Sequence, residues 1–187
     1  MAEKTVIIAL ADGFEEIEAV TPADILKRIG CKVIFAGLNG TTVTGAHGFR
    51  FVADCVLAEK DGMDCDVFVL PGGLPGTTNL RDDKRITNIL RARDAAGKIC
   101  AAICAAPSVF EFAGIVHGRT ITGYPGCEPL SGSDNCHFTG KVAERSENLV
   151  TAKGPGAGFA FGAAIAGALG YSDQTINKLL AGMMFQS

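Results

Sequence analysis

The sequence lacks the cysteine patterns of zinc-binding and disulfide-stapled domains. It has seven cysteines, an odd number, and none of them forms a Cys-x-x-Cys pair. Neither a complete disulfide framework nor a zinc ribbon is indicated, so we expect no metal ion and a reducing compartment, the cytoplasm. Unpaired cysteines are usually inert residues of an apolar core, and this is our interpretation of Cys31, Cys65 and Cys100.

The sequence also has no long hydrophobic run and no excess of positive charge. Glycines interrupt even the stretch from Ala157 to Leu169, so nothing approaches the roughly 20 apolar residues that span a bilayer. The first residues lack the basic flank and long apolar core of a secretory signal. With 17 basic and 20 acidic residues, neither nucleic acid nor an anionic membrane is an expected partner. We expect one soluble domain, residues 1–187, that binds small molecules or proteins.

What the sequence does contain is a set of short apolar runs that alternate with helical segments. Val67–Leu70 and Ile99–Ile103 are continuously apolar, which is typical of parallel strands buried on both faces. We therefore predict an α/β fold with these two as central strands of a doubly wound sheet, in an order that the sequence does not give. Further strands are predicted at Thr5–Leu10, Lys32–Ala36, Thr120–Thr122 and Leu149–Ala152, a hairpin between Thr41 and Phe51, and helices ending at Ile29 and spanning Asn88–Ala96, Gly156–Gly170 and Asp173–Met184.

A candidate nucleophile follows the strand Ile99–Ile103. Cys104 comes directly after it, and Pro107 suits the first turn of a following helix. A sharp strand-to-helix turn needs small residues two before and two after the nucleophile, and both positions, Ala102 and Ala106, are alanine. A thiol at a helix start faces unpaired N–H groups that favour the reactive thiolate. We predict a reactive cysteine; judged from the turn alone, Cys104 could instead be a buried small hydrophobe.

Glu18 is the candidate partner of that cysteine. At 100° per residue, Glu18 falls about 40° from Phe14, on the buried stripe of the N-terminal helix, whereas Glu16 falls behind the stripe. An ionised carboxyl would repel a neighbouring thiolate, so a cooperating Glu18 should be protonated and hydrogen-bonded to sulfur. The open alternative is a structural glutamate paired with a basic residue from elsewhere, since no lysine or arginine stands within helical reach.

Glycines outline the rest of the candidate site. The strand Val67–Leu70 ends in Pro71-Gly72-Gly73, and such a turn can direct backbone N–H groups toward a developing oxyanion. Gly73 and Ala105 are the candidate donors, although the motif alone also fits an ordinary turn. The glycine-rich stretch 153–158 has neither a full Gly-x-Gly-x-x-Gly motif nor a Walker Lys-Ser/Thr pair. We therefore expect no nucleotide and no other cofactor.

Together these segments resemble the ThiJ/PfpI superfamily, in particular its Parkinson-disease protein deglycase branch. The resemblance rests on residues 13–18, 69–73, 101–107 and 154–156, which read Gly-Phe-Glu-Glu-Ile-Glu, Val-Leu-Pro-Gly-Gly, Ala-Ala-Ile-Cys-Ala-Ala-Pro and Gly-Pro-Gly. It implies a flavodoxin-like three-layer α/β/α sandwich, a homodimer, and a reactive cysteine hydrogen-bonded to a protonated glutamate. Cys104 and Glu18 occupy those two positions, and the resemblance also supports Gly73 and Ala105 as backbone donors.

Two positions depart from the branch. Members with strong glyoxalase activity place a histidine in a Thr-x-His-Pro segment, where this chain has Tyr124, and His47 stands in place of the arginine of a Ser-Arg-Gly segment. Tyrosine is a poor general base at neutral pH, so proton transfer would fall to Glu18. We expect Glu15, Gly72, Tyr124 and His47 to line the substrate site. In that role His47 would lend its imidazole from the neighbouring subunit; the alternative is that His47 is simply solvated, as a lone histidine in a hairpin more often is.

Two functions of different classes follow from the resemblance. The first is an enzyme that attacks α-oxoaldehydes, or their early adducts on proteins, through a hemithioacetal at Cys104, as a glyoxalase III or a deglycase would. The second is an oxidant sensor or chaperone controlled by oxidation of Cys104. We favour the enzyme. A cysteine protease is disfavoured because the protease branch carries a histidine directly after its cysteine, where Ala105 stands here.

Overall fold

The computed structural model describes residues 3–127 and 136–185, which form a mostly parallel sheet flanked by helices. The strands are β1 (Thr5–Leu10), β2 (Lys32–Gly37), β3 (Thr42–Thr44), β4 (Arg50–Val52), β5 (Cys55–Val56), β6 (Val67–Leu70), β7 (Ile99–Ile103), β8 (Thr120–Ile121), β9 (His137–Phe138), β10 (Ala143–Ser146) and β11 (Leu149–Ala152). The α-helices are α1 (Glu16–Arg28), α2 (Glu59–Asp64), α3 (Gly76–Asp82), α4 (Lys84–Ala95), α5 (Pro107–Ala113), α6 (Gly158–Ala168) and α7 (Asp173–Gly182).

Seven strands form the main sheet, in the order β10-β11-β7-β6-β1-β2-β5. Neighbouring strands are parallel except β10 and β11, which are antiparallel. The predicted central strands β6 and β7 lie side by side within it, and Leu70 pairs with Ala102. The α/β prediction is therefore confirmed. Because parallel strands end at the same edge of a sheet, the turns that follow β6 and β7 come together there.

Helices cover both faces of this sheet and bury a separate apolar core on each. On one face, Leu90 of α4 and Phe110 of α5 pack against Phe68 of β6. On the other face, Leu26 of α1 and Phe161 of α6 pack against the sheet. Alternate residues of each strand supply the two cores, which explains why the central strands are apolar throughout. This is the three-layer α/β/α sandwich that the sequence predicts.

The peripheral elements differ more from the predictions. The hairpin β3–β4 forms as expected, but the predicted strand at Thr120–Thr122 pairs with β9 in a separate two-stranded sheet. Ser172 caps α7 by accepting a hydrogen bond from the Thr175 N–H at 3.3 Å. The predicted helix at Gly156–Gly170 starts as a 3₁₀ turn, Pro155–Ala157, and continues as α6. In the described parts of the chain, no helix has both the length and the apolar character needed to cross a membrane.

Arg93 ties the beginnings of the two central strands together. Its guanidinium is fully buried on α4 and donates to the carbonyl oxygens of Gly62, Cys65, Asp66 and Ile99 at 2.7 to 3.0 Å. Asp66 and Ile99 lie at the starts of β6 and β7, so one side chain fixes both strands at the edge opposite to the candidate nucleophile. Charged donors of this kind form stronger hydrogen bonds than neutral ones.

Replacing Arg93 with methionine is expected to lower the free energy of unfolding by about 2 kcal/mol, because buried carbonyls lose their donors while a buried charge is removed. Arg91→Met on the same helix is the matched control. Among the described residues, the Arg91 side chain makes one hydrogen bond, to the Ala113 carbonyl, and its loss should cost about 0.5 kcal/mol. Urea denaturation measures both values. Equal stability of the two variants would contradict the role assigned to Arg93.

Candidate active site

The candidate nucleophile lies at the carboxyl end of β7. Cys104 has a φ angle of 64°, a left-handed conformation that is uncommon for a residue with a side chain. Its N–H donates to the Ala152 carbonyl at 2.9 Å, and its own carbonyl accepts from the Tyr124 N–H at 2.8 Å. Helix α5 then begins at Pro107. Strand, cysteine and helix follow in the predicted order, with the sharp turn that presents a nucleophile to a ligand.

Glu18 lies on the buried face of α1 and is fully buried. Its Oε2 accepts a hydrogen bond from the Gly72 N–H at 2.9 Å. Its Oε1 is buried without a hydrogen-bond partner among the described residues, while the Cys104 thiol is close enough to affect the carboxyl's pKa. No lysine or arginine is among the groups that shift that pKa. The structural ion pair left open by the sequence therefore has no partner in the described chain.

The thiol and the carboxyl are electrostatically coupled. Burial raises the pKa of Glu18 to about 7. Burial and the Glu18 carboxyl also raise the pKa of Cys104, and outweigh the lowering by hydrogen bonds from the Ala105 and Gly73 backbones. The start of α5 was expected to lower the pKa of the Cys104 thiol, but its effect is outweighed by burial and by the Glu18 carboxyl. Because two negative charges would repel each other in a buried site, the pair loses only one proton near neutral pH.

Two glycines after β6 let the backbone approach the thiol. A Cβ atom on Gly72 would lie 2.7 Å from Cβ of Cys104 and 2.7 Å from Oε2 of Glu18. Gly73 has a φ of +87°, and a Cβ atom there would lie 2.4 Å from the backbone nitrogen of Glu15. Glycine alone fits both positions without displacing its neighbours. The backbones of Gly73 and Ala105 lie close enough to the Cys104 sulfur to lower the pKa of its thiol, and backbone N–H groups so placed can also hold a developing oxyanion.

Replacing Gly72 with alanine is expected to slow alkylation of Cys104 by iodoacetamide at least ~10-fold, because the methyl group must displace the thiol or the carboxyl at a cost of about 1–3 kcal/mol. Gly156→Ala is the matched control, since a Cβ atom on Gly156 has nothing within 4 Å. This control should react at the unaltered rate. Mass spectrometry of the Cys104 peptide over time gives both rates, and equal rates would show that Gly72 is not required.

Tyr124, where strongly active relatives were expected to carry histidine, stands beside the thiol. Gly154 has no side chain, but a Cβ atom built on its backbone would lie 3.2 Å from Cδ2 of the Tyr124 ring and 4.0 Å from Sγ of Cys104. The Tyr124 side chain is half exposed, and with Lys153 and Pro155 it lines a cavity of about 560 Å³. A pocket of this size can admit a small organic ligand. The phenol can donate a hydrogen bond to such a ligand.

His47 contacts the start of α1. Its Nδ1 lies 2.9 Å from Oε2 of Glu16 and 3.6 Å from Oε1 of Glu15. The sequence placed Glu16 behind the buried stripe of the helix and so missed this contact. No signal within either segment predicts the contact; Gly45 leaves room for it, because a Cβ atom there would overlap the Glu16 carboxylate. Glu15 does reach the candidate site electrostatically, since its charge raises the pKa of Glu18.

The sequence model of the DJ-1/PfpI family matches residues 4–168. The chain belongs to the DJ-1/PfpI family. The match spans the turn of Cys104, the buried Glu18 and the glycines after β6, and it confirms the resemblance that those segments carry. DJ-1/PfpI membership thus agrees with the sequence motifs and with the fold.

Named DJ-1 relatives are similar to this chain over nearly its whole length. Protein dj-1beta of Drosophila melanogaster is 36% identical over 164 residues, covering 87% of this chain and 88% of the relative. Glutathione-independent glyoxalase DJR-1.2 of Caenorhabditis elegans is 32% identical over 180 residues, covering 96% and 95%. The crystal structure of Drosophila melanogaster DJ-1beta superposes with a TM-score of 0.91 at 33% identity, covering 99% of this chain and 100% of that one. The fold of the chain is therefore the DJ-1 fold.

Proposed function

We propose that the chain is a cofactor-independent, cysteine-dependent enzyme that acts on α-oxoaldehydes, either free or as early adducts on proteins. One observation carries the proposal: the Cys104 sulfur lies close enough to the backbones of Gly73 and Ala105 and to the buried carboxyl of Glu18 for all three to shift the pKa of its thiol. This set supplies a nucleophile, an oxyanion site and a proton carrier. The C. elegans relative named as a glutathione-independent glyoxalase supports the same assignment.

The reaction begins with addition of the thiolate to the aldehyde carbon. A carbon–sulfur bond forms, and the carbonyl π electrons move to oxygen, where the Gly73 and Ala105 N–H groups stabilise the alkoxide. Protonated Glu18 gives its proton to that oxygen and becomes a carboxylate. The product is a neutral hemithioacetal on Cys104. The buried position of Glu18, which favours its protonated form, prepares it for this step.

Glu18 then moves the proton that converts the adduct into a thioester. Its carboxylate removes the hydrogen, as a proton, from the carbon bonded to sulfur, and an enediolate forms. Glu18 returns this proton to the neighbouring carbon, and the hydroxyl proton of the former aldehyde oxygen passes to the neighbouring oxygen, which leaves a hydroxyacyl thioester of Cys104. The former aldehyde carbon is oxidised and its neighbour is reduced, so no external oxidant is consumed. Water cleaves the carbon–sulfur bond and releases a 2-hydroxy acid, and the pair returns to its starting state.

The test is the conversion of methylglyoxal to lactate by the purified chain without glutathione. Free N-acetylcysteine at the same concentration is the control, because it forms the same hemithioacetal without Gly73, Ala105 and Glu18. The enzyme should form lactate at a rate at least ~100-fold above this thiol, since general acid–base catalysis alone contributes that much. A rate equal to that of the free thiol would reject the proposed activity.

A second candidate function is an oxidant sensor or chaperone controlled by Cys104. The observation that favours it is that Cys104, which is partly exposed like Cys55, Cys127 and Cys136, lies beside the Gly73 and Ala105 backbones and the Glu18 carboxyl. Oxygen atoms added to its sulfur would meet the Gly73 and Ala105 N–H groups and a protonated Glu18. Mild peroxide should therefore oxidise Cys104 first. Peptide mass spectrometry that finds another cysteine oxidised first would reject this function.

We also propose that the active form is a homodimer in the cytoplasm. Large apolar side chains are exposed near the start of the chain, Ile17 on α1 and Phe49 and Val52 around β4 among them. A second copy of the chain would cover such residues. Cys31, Cys65, Cys100, Cys104 and Cys136 are free thiols, which suits a reducing compartment. Light scattering of the purified chain at micromolar concentration tests the dimer, and a monomer mass would reject it.

A further inference from the structure

A second group of potential ligands lies at the start of α1, apart from the thiol. Glu15, Glu16 and His47 each offer one ligand atom, and these three atoms lie within 4.8 Å of one another. The cluster combines two carboxylates with one imidazole. Neither the family match nor the proposed reaction uses the three groups together.

The spacing of these atoms suits a single metal ion. Zinc binds histidine nitrogen and carboxylate oxygen at about 2.0–2.2 Å in a tetrahedral arrangement, so its ligand atoms lie about 3.3–3.6 Å apart. Nδ1 of His47 lies 2.9 Å from Oε2 of Glu16 and 3.6 Å from Oε1 of Glu15, and all three ligand atoms lie within 4.8 Å of one another. An ion could therefore replace the proton on Nδ1 once Oε2 of Glu16 moves away from the imidazole and the two carboxylates close around the ion. We infer that Glu15, Glu16 and His47 form a site for a divalent transition-metal ion such as Zn²⁺ or Co²⁺.

The backbone holds the ligand-bearing segments in place. The hairpin turn that carries His47 is bonded to the loop before α1, since the Ala46 N–H donates to the Phe14 carbonyl at 2.8 Å. The N–H of His47 donates to Oε1 of Glu16 at 3.0 Å, which orients the other oxygen, Oε2, toward the imidazole. Glu15 is fixed through its own N–H, bonded to the Gly72 carbonyl. Contacts of this kind position metal ligands before an ion binds.

The negative charge of the two carboxylates also favours binding of a cation. The Glu15 and Glu16 side chains are only 15% and 14% exposed, whereas that of His47 is 62% exposed. Two partly buried carboxylates lie close together, and in the described chain their one salt-bridge partner is His47. A divalent ion would neutralise both carboxylates. An imidazole ligand favours Zn²⁺ and Co²⁺ over Mg²⁺, which prefers oxygen alone.

Cobalt titration of the full chain carrying Cys104→Ser tests this site without any contribution from the proposed enzyme activity. We expect one Co²⁺ per chain, detected by its visible ligand-field absorption and by calorimetry. Zn²⁺ should displace it, and Mg²⁺ at the same concentration should not. Thiolate-to-cobalt charge transfer in the near ultraviolet should be absent, because no cysteine belongs to the site. A charge-transfer band on the bound ion would overturn the assignment.

Ligand variants decide which residues bind the ion. His47→Ala and Glu16→Gln should each weaken Co²⁺ binding at least ~10-fold. His117→Ala is the matched control, because His117 is also exposed but lies outside the cluster, and its affinity should be unchanged. Circular dichroism shows that each variant is folded before titration. Equal affinities for the His47 and His117 variants would overturn the inference, whatever the outcome for methylglyoxal.

Discussion

Replacing Cys104 with serine is expected to reduce lactate formation from methylglyoxal at least ~1,000-fold, about 4 kcal/mol of transition-state stabilisation. The serine oxygen would occupy almost the same place, between the Gly73 and Ala105 backbones and Glu18, so binding is largely retained. A hydroxyl, however, ionises far less readily than a thiol, and its ester is a less activated intermediate than a thioester. The loss should therefore appear in kcat, with KM nearly unchanged.

Cys136→Ser is the matched control for the nucleophile. Like Cys104, Cys136 is partly buried and free, and burial raises its thiol pKa as well. It lies next to β9 and outside the cluster formed by Glu18 and Gly72. This variant should keep the wild-type rate of lactate formation. If Cys104→Ser retained more than about a tenth of the wild-type rate, another group would have to act as the nucleophile.

The central part of the fold is predictable because its signals are local. A parallel strand covered on both faces must be apolar at every position, so β6 and β7 stand out from the sequence alone. The signal for the turn at Cys104 is equally local, because a turn this sharp requires small side chains on both sides and Ala102 and Ala106 supply them. Glu18 is buried as predicted, although Phe14, from which its helical phase was counted, lies before α1, which begins at Glu16. Each inference used residues within one or two turns of the chain.

The remaining features depend on contacts between distant segments. Strand β10 reads Ala-Glu-Arg-Ser, and it is a strand only because β11 pairs with it at the sheet edge. The strand order could not be derived for the same reason. The cluster of Glu16 with His47 arises because the β3–β4 hairpin packs against the start of α1, which no periodicity within either segment records. The thiol pKa was also misjudged, because burial by the whole fold outweighs the local helix start.

Replacing Glu18 with glutamine is expected to shift the pH dependence of Cys104 reactivity upward. In the unaltered chain the thiol–carboxyl pair is neutral below a pKa of about 7 and loses one proton above it. The remaining proton is shared, and the form with thiolate and protonated Glu18 reacts with iodoacetamide. The alkylation rate should therefore rise as pH increases through about 7. Glutamine cannot take the proton, so the thiol must ionise alone against its burial, and the midpoint should move up by at least ~1 pH unit.

Turnover should fall more than alkylation in the Glu18 variant, because alkylation needs only the thiolate whereas lactate formation also needs the three proton transfers assigned to Glu18. We expect kcat to fall about 100-fold at every pH. Raising the pH should restore alkylation but not lactate formation. Glu15→Gln is the control with the opposite sign: the Glu15 charge raises the pKa of Glu18, so its removal should move the midpoint down. An unchanged midpoint in Glu18→Gln would mean that the carboxyl does not share its proton with the thiol, and Cys104 would then ionise independently of Glu18.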